Sequence, residues 1–262
     1  PSIAGLASNR GRNLMHIQDR APGGASLEVV VSNHADAPVL EKAAARGIDT
    51  AVVEQEGLDR REHERQILEV LADYDVELVA LDGYMRILSD TFLEAAPLTL
   101  NVHPSLLPSF PGDDAHEQVL EAGVAVTGCT VHVVTNAVGE DGSIREDAVD
   151  AGPILTQEPV PVFPDDDRDS LKSRVLHEAE FRAYPRAIET VLDGHVSVNE
   201  GGVEIEERGG PLPDRRLASS DRVRDLRYGE NPHQSAAIYG DSTVEAANVV
   251  DAEQMNEGAK AL

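Results

Sequence analysis

Apolar residues in this chain gather in short dense runs separated by charged segments of helical period. SIAGLA (2–7), LEVVVSN (27–33), TAVVE (50–54), VELVALDG (76–83) and TLNVH (99–103) are such runs, each of strand length. Strands that are apolar throughout are buried on both faces, as parallel strands are. Between them, a short helix is expected from about Leu14 and an Ala-rich one from about Asp36 to Ala45. Over 58–73, Ile67, Leu68, Val70 and Leu71 recur among charges as one face of an amphipathic helix. Alternation at this spacing predicts an α/β fold with a Rossmann-like, doubly wound, mainly parallel sheet.

The rhythm changes later in the chain. GVAVTGCTVHVV (123–134) and GPILTQEPVPV (152–162) read as strands with no helix between, so antiparallel strands should finish the sheet. A helix from about Asp169 to Leu192 and the hairpin-like HVSVNEGGVEIEE (195–207) follow. GGPLPDRRLASS (209–220) is turn-rich and unpatterned, a linker by composition. The expected organisation is a main domain over 1–208, that linker, and a separate piece over 221–262.

Charge adds a second constraint. Asp and Glu number 48 against 22 Lys and Arg, a formal charge of −26, and lysine occurs only at 42, 172 and 260. The acids are spread along well-patterned elements, which reads as the surface of a halophilic protein from a salt-rich cytoplasm. Such self-repulsion needs screening before the compact state is favourable. The same charge argues against a nucleic-acid partner, which requires a basic footprint. The single cysteine, Cys129, permits no internal disulfide and fits a reducing compartment. No apolar run has the length of a membrane span, and the N-terminus lacks a signal-peptide layout. A cytoplasmic protein is expected.

The candidate chemistry centres on NVHPSLLPSFPG (101–112). Asn101 and His103, two apart on a strand, project side by side at its carboxyl end, where open α/β sheets place ligands. Pro104, Pro108 and Pro111 restrict the loop that follows. An imidazolium beside a carboxamide offers donors to an oxyanion formed at a carbonyl. A histidine satisfied within the core, with prolines that merely end the strand, accounts for the same letters. Asp150, in AVDAGPI, is the best carboxylate to orient His103, whereas Glu140, Asp141, Glu146 and Asp147 lie in a polar loop and read as solvated. The turn SNRGRNL after the first strand offers free backbone N–H groups that suit a phosphate. Its glycine spacing is not that of dinucleotide-binding loops, and no metal-ligand cluster is evident.

Together these motifs resemble the phosphoribosylglycinamide formyltransferases, folate-dependent transformylases of purine synthesis. The resemblance covers about residues 2 to 207. It is carried by NVHPSLLPSFPG, VSNHADAPVLEKAAARGI, LVALDGYMRIL, GCTVHVV and VDAGPILTQEPVPV, in that family's order. It implies catalytic roles for Asn101, His103 and Asp150, and phosphate binding by Gly11, Arg12 and Asn13. Arg61 and Glu180 match positions that hold the nucleotide, and Met85, Arg86, Ile87 and Leu88 match the backbone wall met by the folate. It further implies 10-formyltetrahydrofolate as formyl donor, glycinamide ribonucleotide as acceptor, no metal, and a monomer or weak homodimer. In that reading His103, held charged by Asp150, and Asn101 stabilise the oxyanion. The proton then passes from amine to folate N10 through His103, Asp150 or ordered water.

Three departures stand out. The phosphate loop reads Asn9-Arg10-Gly11-Arg12-Asn13, with Asn9 where the family has a glycine; asparagine tolerates a left-handed conformation. Phe181 stands where the family often has histidine, and the loop 136–147 before Asp150 is longer than usual. Two rival readings remain. A methionyl-tRNA formyltransferase shares the Asn-His-Asp set but is expected to carry a basic RNA-binding domain. A formyl-folate-binding module without turnover is the other. Near the C-terminus, LRYGENPHQSAAIYG (226–240) resembles the start of a phosphoribosylaminoimidazolecarboxamide formyltransferase domain. That likeness implies a nucleotide-binding remnant at Arg227, Tyr228 and His233. It also implies a parent gene that joins two formyltransferases, or a remnant of such a fusion.

Overall fold

A computed structural model describes residues 1–199 and 202–205. Its elements run β1 (Ser2–Leu6), α1 (Arg12–Arg20), β2 (Ser26–Ser32), α2 (Pro38–Ala44), β3 (Asp49–Val52) and α3 (Arg60–Leu71). Next come β4 (Leu78–Leu81), α4 (Asp90–Leu93), β5 (Thr99–His103), α5 (Ala115–Ala122), β6 (Val126–Val133) and β7 (Ile154–Pro161). The helices α6 (Arg168–Arg174) and α7 (Phe181–Leu192) and the hairpin β8 (Val196–Asn199)–β9 (Gly202–Ile205) complete the described chain.

Seven strands form one sheet in the order β3-β2-β1-β4-β5-β6-β7. The first five are parallel, and β6 and β7 return antiparallel, as the change of rhythm in the sequence predicts. Period two explains the layers. Ile3, Val30, Leu78 and Ala80 face the core under α1 and α7, while Ala4, Val29, Val31, Val79 and Leu81 face the core under α3 and α4. Both faces are covered, so these strands tolerate no polar alternation. The order reverses direction at β1 and β4, and the crevice beyond their carboxyl ends is where such sheets bind ligands.

Two helices were not expected. In α5 only Ala115 and Val119 are buried, too few apolar positions to mark a period. The four-residue α4 is set by its cap, where the Ser89 and Asp90 side chains both accept from the Thr91 N–H. The predicted helix 169–192 is present as α6 and α7 joined by a π-helical stretch, Val175–Glu180. Proline explains one local device there. Pro185 lies inside α7 and has no N–H for the Phe181 carbonyl four residues earlier. His16 Nε2 donates to that carbonyl instead, at 2.9 Å, and its ring stacks on Phe181 at 4.1 Å and 4°. Burial lowers the His16 pKa, in keeping with a neutral ring that donates from Nε2.

Candidate active site

A cleft of about 1720 Å³ runs along the carboxyl ends of β1, β4 and β5. Single drug-sized ligands occupy up to roughly 1,000 Å³, so this cleft has room for two molecules side by side. One end is built by the loop between β1 and α1. Gly11 caps the helix with φ 52 and ψ 44, and a Cβ there would lie 2.1 Å from Val39 Cγ2. Only glycine fits both the left-handed backbone and that approach. Helix α1 therefore begins at Arg12, two residues ahead of the expected Leu14. Asn9 does not adopt the left-handed conformation suggested for it.

The expected free N–H groups are partly claimed. Asp82, at the end of β4, accepts from the Asn13 N–H at 2.7 Å and the Leu14 N–H at 3.3 Å. Among the described residues no protein acceptor takes the Gly11 or Arg12 N–H. The Asn13 amide then donates to Glu180 Oε2 at 2.6 Å and to Asp82 Oδ1 at 3.2 Å. Burial pushes the Glu180 carboxyl up to about 7, with Asp82 adding to the rise and Asn13, Arg12 and Lys172 opposing it. Glu180 ends the π-helical stretch, a distortion common at functional sites.

The middle of the cleft holds Asn101, His103 and Asp150 together, as the motif reading expects. Asp150 Oδ2 lies 3.2 Å from His103 Nδ1 and accepts from the Gly112 N–H at 2.9 Å. Its backbone is left-handed, with φ 53, an uncommon and strained state for aspartate that the surrounding contacts hold. Gly152 just beyond permits the sharp return, because a Cβ there would lie 1.8 Å from the Val133 carbonyl oxygen. Although burial pushes the Asp150 carboxyl up, His132, His103 and the Gly112 N–H bring it below the usual carboxylate value.

His103 differs from the expectation of a standing imidazolium. Burial takes its pKa below the ordinary histidine value, against the opposing pull of Asp150 and the Phe110 carbonyl. Its two ring nitrogens nevertheless face acceptors, Asp150 on one side and Phe110 O at 2.8 Å on the other. Such a ring is neutral at rest and has partners ready for a second proton. It is a proton acceptor before it is a cation.

His132 is the functional candidate that sequence reasoning missed. It pairs with Asn101 across the β5–β6 ladder, and its Nε2 lies 3.3 Å from Asn101 Nδ2 and 3.6 Å from Asp150 Oδ1. The only trace in the sequence was a polar letter inside TVHVV. His116, in α5, also lines the cleft, with a buried Nε2 that has no partner and a pKa lowered to about 4 by burial.

At the far end, Met85, Arg86, Ile87 and Leu88 line the cleft. The Met85 N–H donates to Ser8 Oγ at 2.8 Å, and the Ile87 carbonyl accepts from Arg60 Nη1. Arg61 is not brought to the cleft. It pairs with Asp90 at 3.1 Å, and the cleft-facing place belongs to Arg60. The loop 136–147 is folded rather than merely solvated. Val138 and Ile144 form a β-bridge, Ala137 is buried, and Ala137, Ile144 and Glu146 line the cleft wall before Asp150. Arg227, Tyr228 and His233 lie outside the described residues, as does the linker 209–220. Among the described residues no group of His, Cys, Asp or Glu is disposed to hold a metal, and no helix is long and apolar enough to cross a membrane.

A parallel sheet with an antiparallel finish and an Asn-His-Asp set at its switch point define a formyl transferase, and the chain belongs to that family. The formyl transferase family model matches residues 2–188, and that of the AICARFT/IMPCHase bienzyme matches residues 164–262. More particularly, the chain is 35% identical over 225 residues to the phosphoribosylglycinamide formyltransferase of Escherichia coli, covering 84% of this chain and 100% of the relative. It is 43% identical over 205 residues to the trifunctional purine biosynthetic protein adenosine-3 of Gallus gallus, and covers 76% of this chain but only 19% of that protein. The solved glycinamide ribonucleotide transformylase 1 of Symbiobacterium toebii superposes with a TM-score of 0.69 at 40% identity. That match covers 79% of this chain and 94% of the other.

Proposed function

We propose that this chain transfers a formyl group from 10-formyltetrahydrofolate to the amine of 5-phosphoribosylglycinamide in purine synthesis. One observation carries the reading: the His103–Asp150 pair, with Asn101 beside it, stands midway along a cleft that holds a phosphate-type loop at one end and the Met85–Leu88 wall at the other. In this reading Gly11, Arg12 and Asn13 seat the phosphate, and Glu180 takes the ribose side. Arg60 and Arg86 give the donor end its positive charge.

The chemistry follows from the protonation states. As the substrate amine attacks the formyl carbon, negative charge develops on the formyl oxygen, and the Asn101 amide stabilises it. His103, neutral at rest, takes the proton the nitrogen loses. It becomes the imidazolium that Asp150 and the Phe110 carbonyl are placed to hold. Returned to the leaving nitrogen of the donor, the same proton completes the transfer. His132 and the Gly112 N–H keep Asp150 ionised through the cycle.

The acidic surface, −26 overall, supports a protein of salt-rich cytoplasm rather than a tRNA-binding formyltransferase. The family match at 164–262 supports a division into a transformylase domain over 1–208, a linker, and a piece of a second formyltransferase from 221 onward. Formyl transfer assayed with each amine at high salt tests the reading. Formylation of the glycinamide nucleotide supports it, and transfer only to methionyl-tRNA sinks it.

A further inference from the structure

Cations on this acidic chain are unevenly paired. Arg46 sits on Asp19, Arg174 on Asp166 and Arg186 on Glu158, each at ion-pair distance. Among the described residues Arg10, Arg12, Lys42 and Lys172 have no carboxylate within that distance. All four gather at the phosphate-loop end of the cleft. Arg10, Arg12 and Lys172 line it, and Lys42 lines a smaller pocket beside Arg12 and donates to the Arg10 carbonyl at 3.0 Å.

Crowded like charges disfavour one another, and with 48 acids in the chain a partner for each would be easy to supply. Burial and the positive charge of Arg10 and Arg12 lower the Lys42 pKa, so the repulsion is felt. The acids that face the cluster do not relieve it. Glu180 and Asp82 are held up by burial, and Asp169, one turn before Lys172, lines the cleft without an ion pair. Of the chain's three lysines, two stand here. An arrangement that leaves four cations without partners is complete only with an anion bound.

We propose that Lys172, with Lys42 and Arg10, forms a side-chain clamp that closes on a phosphate dianion seated at the Gly11–Asn13 loop. Lys172 reaches the ligand from α6, the side opposite the loop in sequence, and Lys42 holds the Arg10 carbonyl so that the loop keeps its shape. A compact ammonium with three rotatable donors suits such a point contact. Short charge-assisted hydrogen bonds survive the salt that screens a distant helix dipole. The local sign reversal also admits a dianion to a chain whose overall field repels it. This inference rests on the reading of the cleft as a phosphosugar site.

Its test is calorimetric titration of the full chain with ribose 5-phosphate in molar potassium chloride, which requires no turnover. Lys172→Gln should raise the dissociation constant about fivefold to twentyfold, as expected for one lost charge-assisted contact. Lys172→Arg should recover most of the affinity, and Arg20→Gln, distant from the cleft lining, should leave it unchanged. At saturating nucleotide, Lys172→Gln should keep turnover within about twofold, with the loss confined to the nucleotide KM. Unchanged affinity in Lys172→Gln would overturn the clamp, as would an equal loss in Arg20→Gln, which would mark a general charge effect. Ribose 5-phosphate binding that depends on Lys172 in a protein without formyl transfer would uphold the clamp and reject only the reaction.

Discussion

Asn101 and His132 face each other across the β5–β6 ladder, with the Asn101 amide nitrogen 3.3 Å from His132 Nε2. His132 Nδ1 lies 3.0 Å from the Val133 carbonyl, which fixes the ring and turns Nε2 toward Asn101 and Asp150. His132 is thus a positioning residue for both. His132→Ala should lower turnover by about 10-fold to 100-fold, the scale seen when a supporting shell is lost. Nucleotide KM should stay near that of the wild type. Steady-state kinetics at saturating donor check this, and a wild-type kcat would refute the role.

The resting state of His103 sets the acid limb of the pH profile. Because its pKa lies below the ordinary histidine value, the neutral ring is already dominant at pH 7. The rate should therefore rise as pH climbs through a value below about 6.5 and then level off. An acid limb centred well above 7 would mean that the ring begins the cycle charged.

Glu180 links the site to stability. Its folded carboxyl titrates at about 7, above its unfolded value, so between the two the folded state binds more protons than the unfolded one. The contribution is fully present below the unfolded pKa and is lost as pH rises through about 7. Glu180→Gln should thus melt higher than wild type at pH 8 and differ least at pH 5. Melting scans across that range check the sign, and a larger gain at pH 5 would contradict it.

Arg12 stands where the family loop has a small residue. Arg12→Ser should weaken nucleotide binding by about 1–2 kcal/mol, the scale of a charge-assisted contact, with much less effect on kcat. An unchanged nucleotide KM would show that the guanidinium serves solvent only.

The charge of −26 makes its own prediction. Melting temperature should rise steeply from low salt to molar potassium chloride as carboxylate repulsion is screened. A flat response would reject the halophile reading.

Much of this was legible in the sequence because buried parallel strands announce themselves. SIAGLA and LEVVVSN have no choice of face, and the break in rhythm after TLNVH foretold the antiparallel finish. The Asn101-His103 pair was visible because a strand puts both residues on one side. His132 was not, since its meeting with Asn101 depends on the register of an antiparallel ladder that no local pattern encodes. Arg60 and Arg61 show the same limit. Adjacent on the first turn of α3, they point about 100° apart, as helical geometry requires. Only the packed fold shows that Arg60 meets the cleft while Arg61 pairs with Asp90. Asp82 looked like an ordinary strand end until the helix it caps was in place.

The most direct test of the central claim mixes the protein with 10-formyltetrahydrofolate and 5-phosphoribosylglycinamide in molar potassium chloride and follows formylated nucleotide. The wild type should form it. His103→Ala and Asp150→Asn should lose several orders of magnitude in kcat while still binding the nucleotide, since their contacts matter most in the transition state. Wild-type rates in either variant, or a folded wild type that forms no formylated nucleotide, would contradict the account.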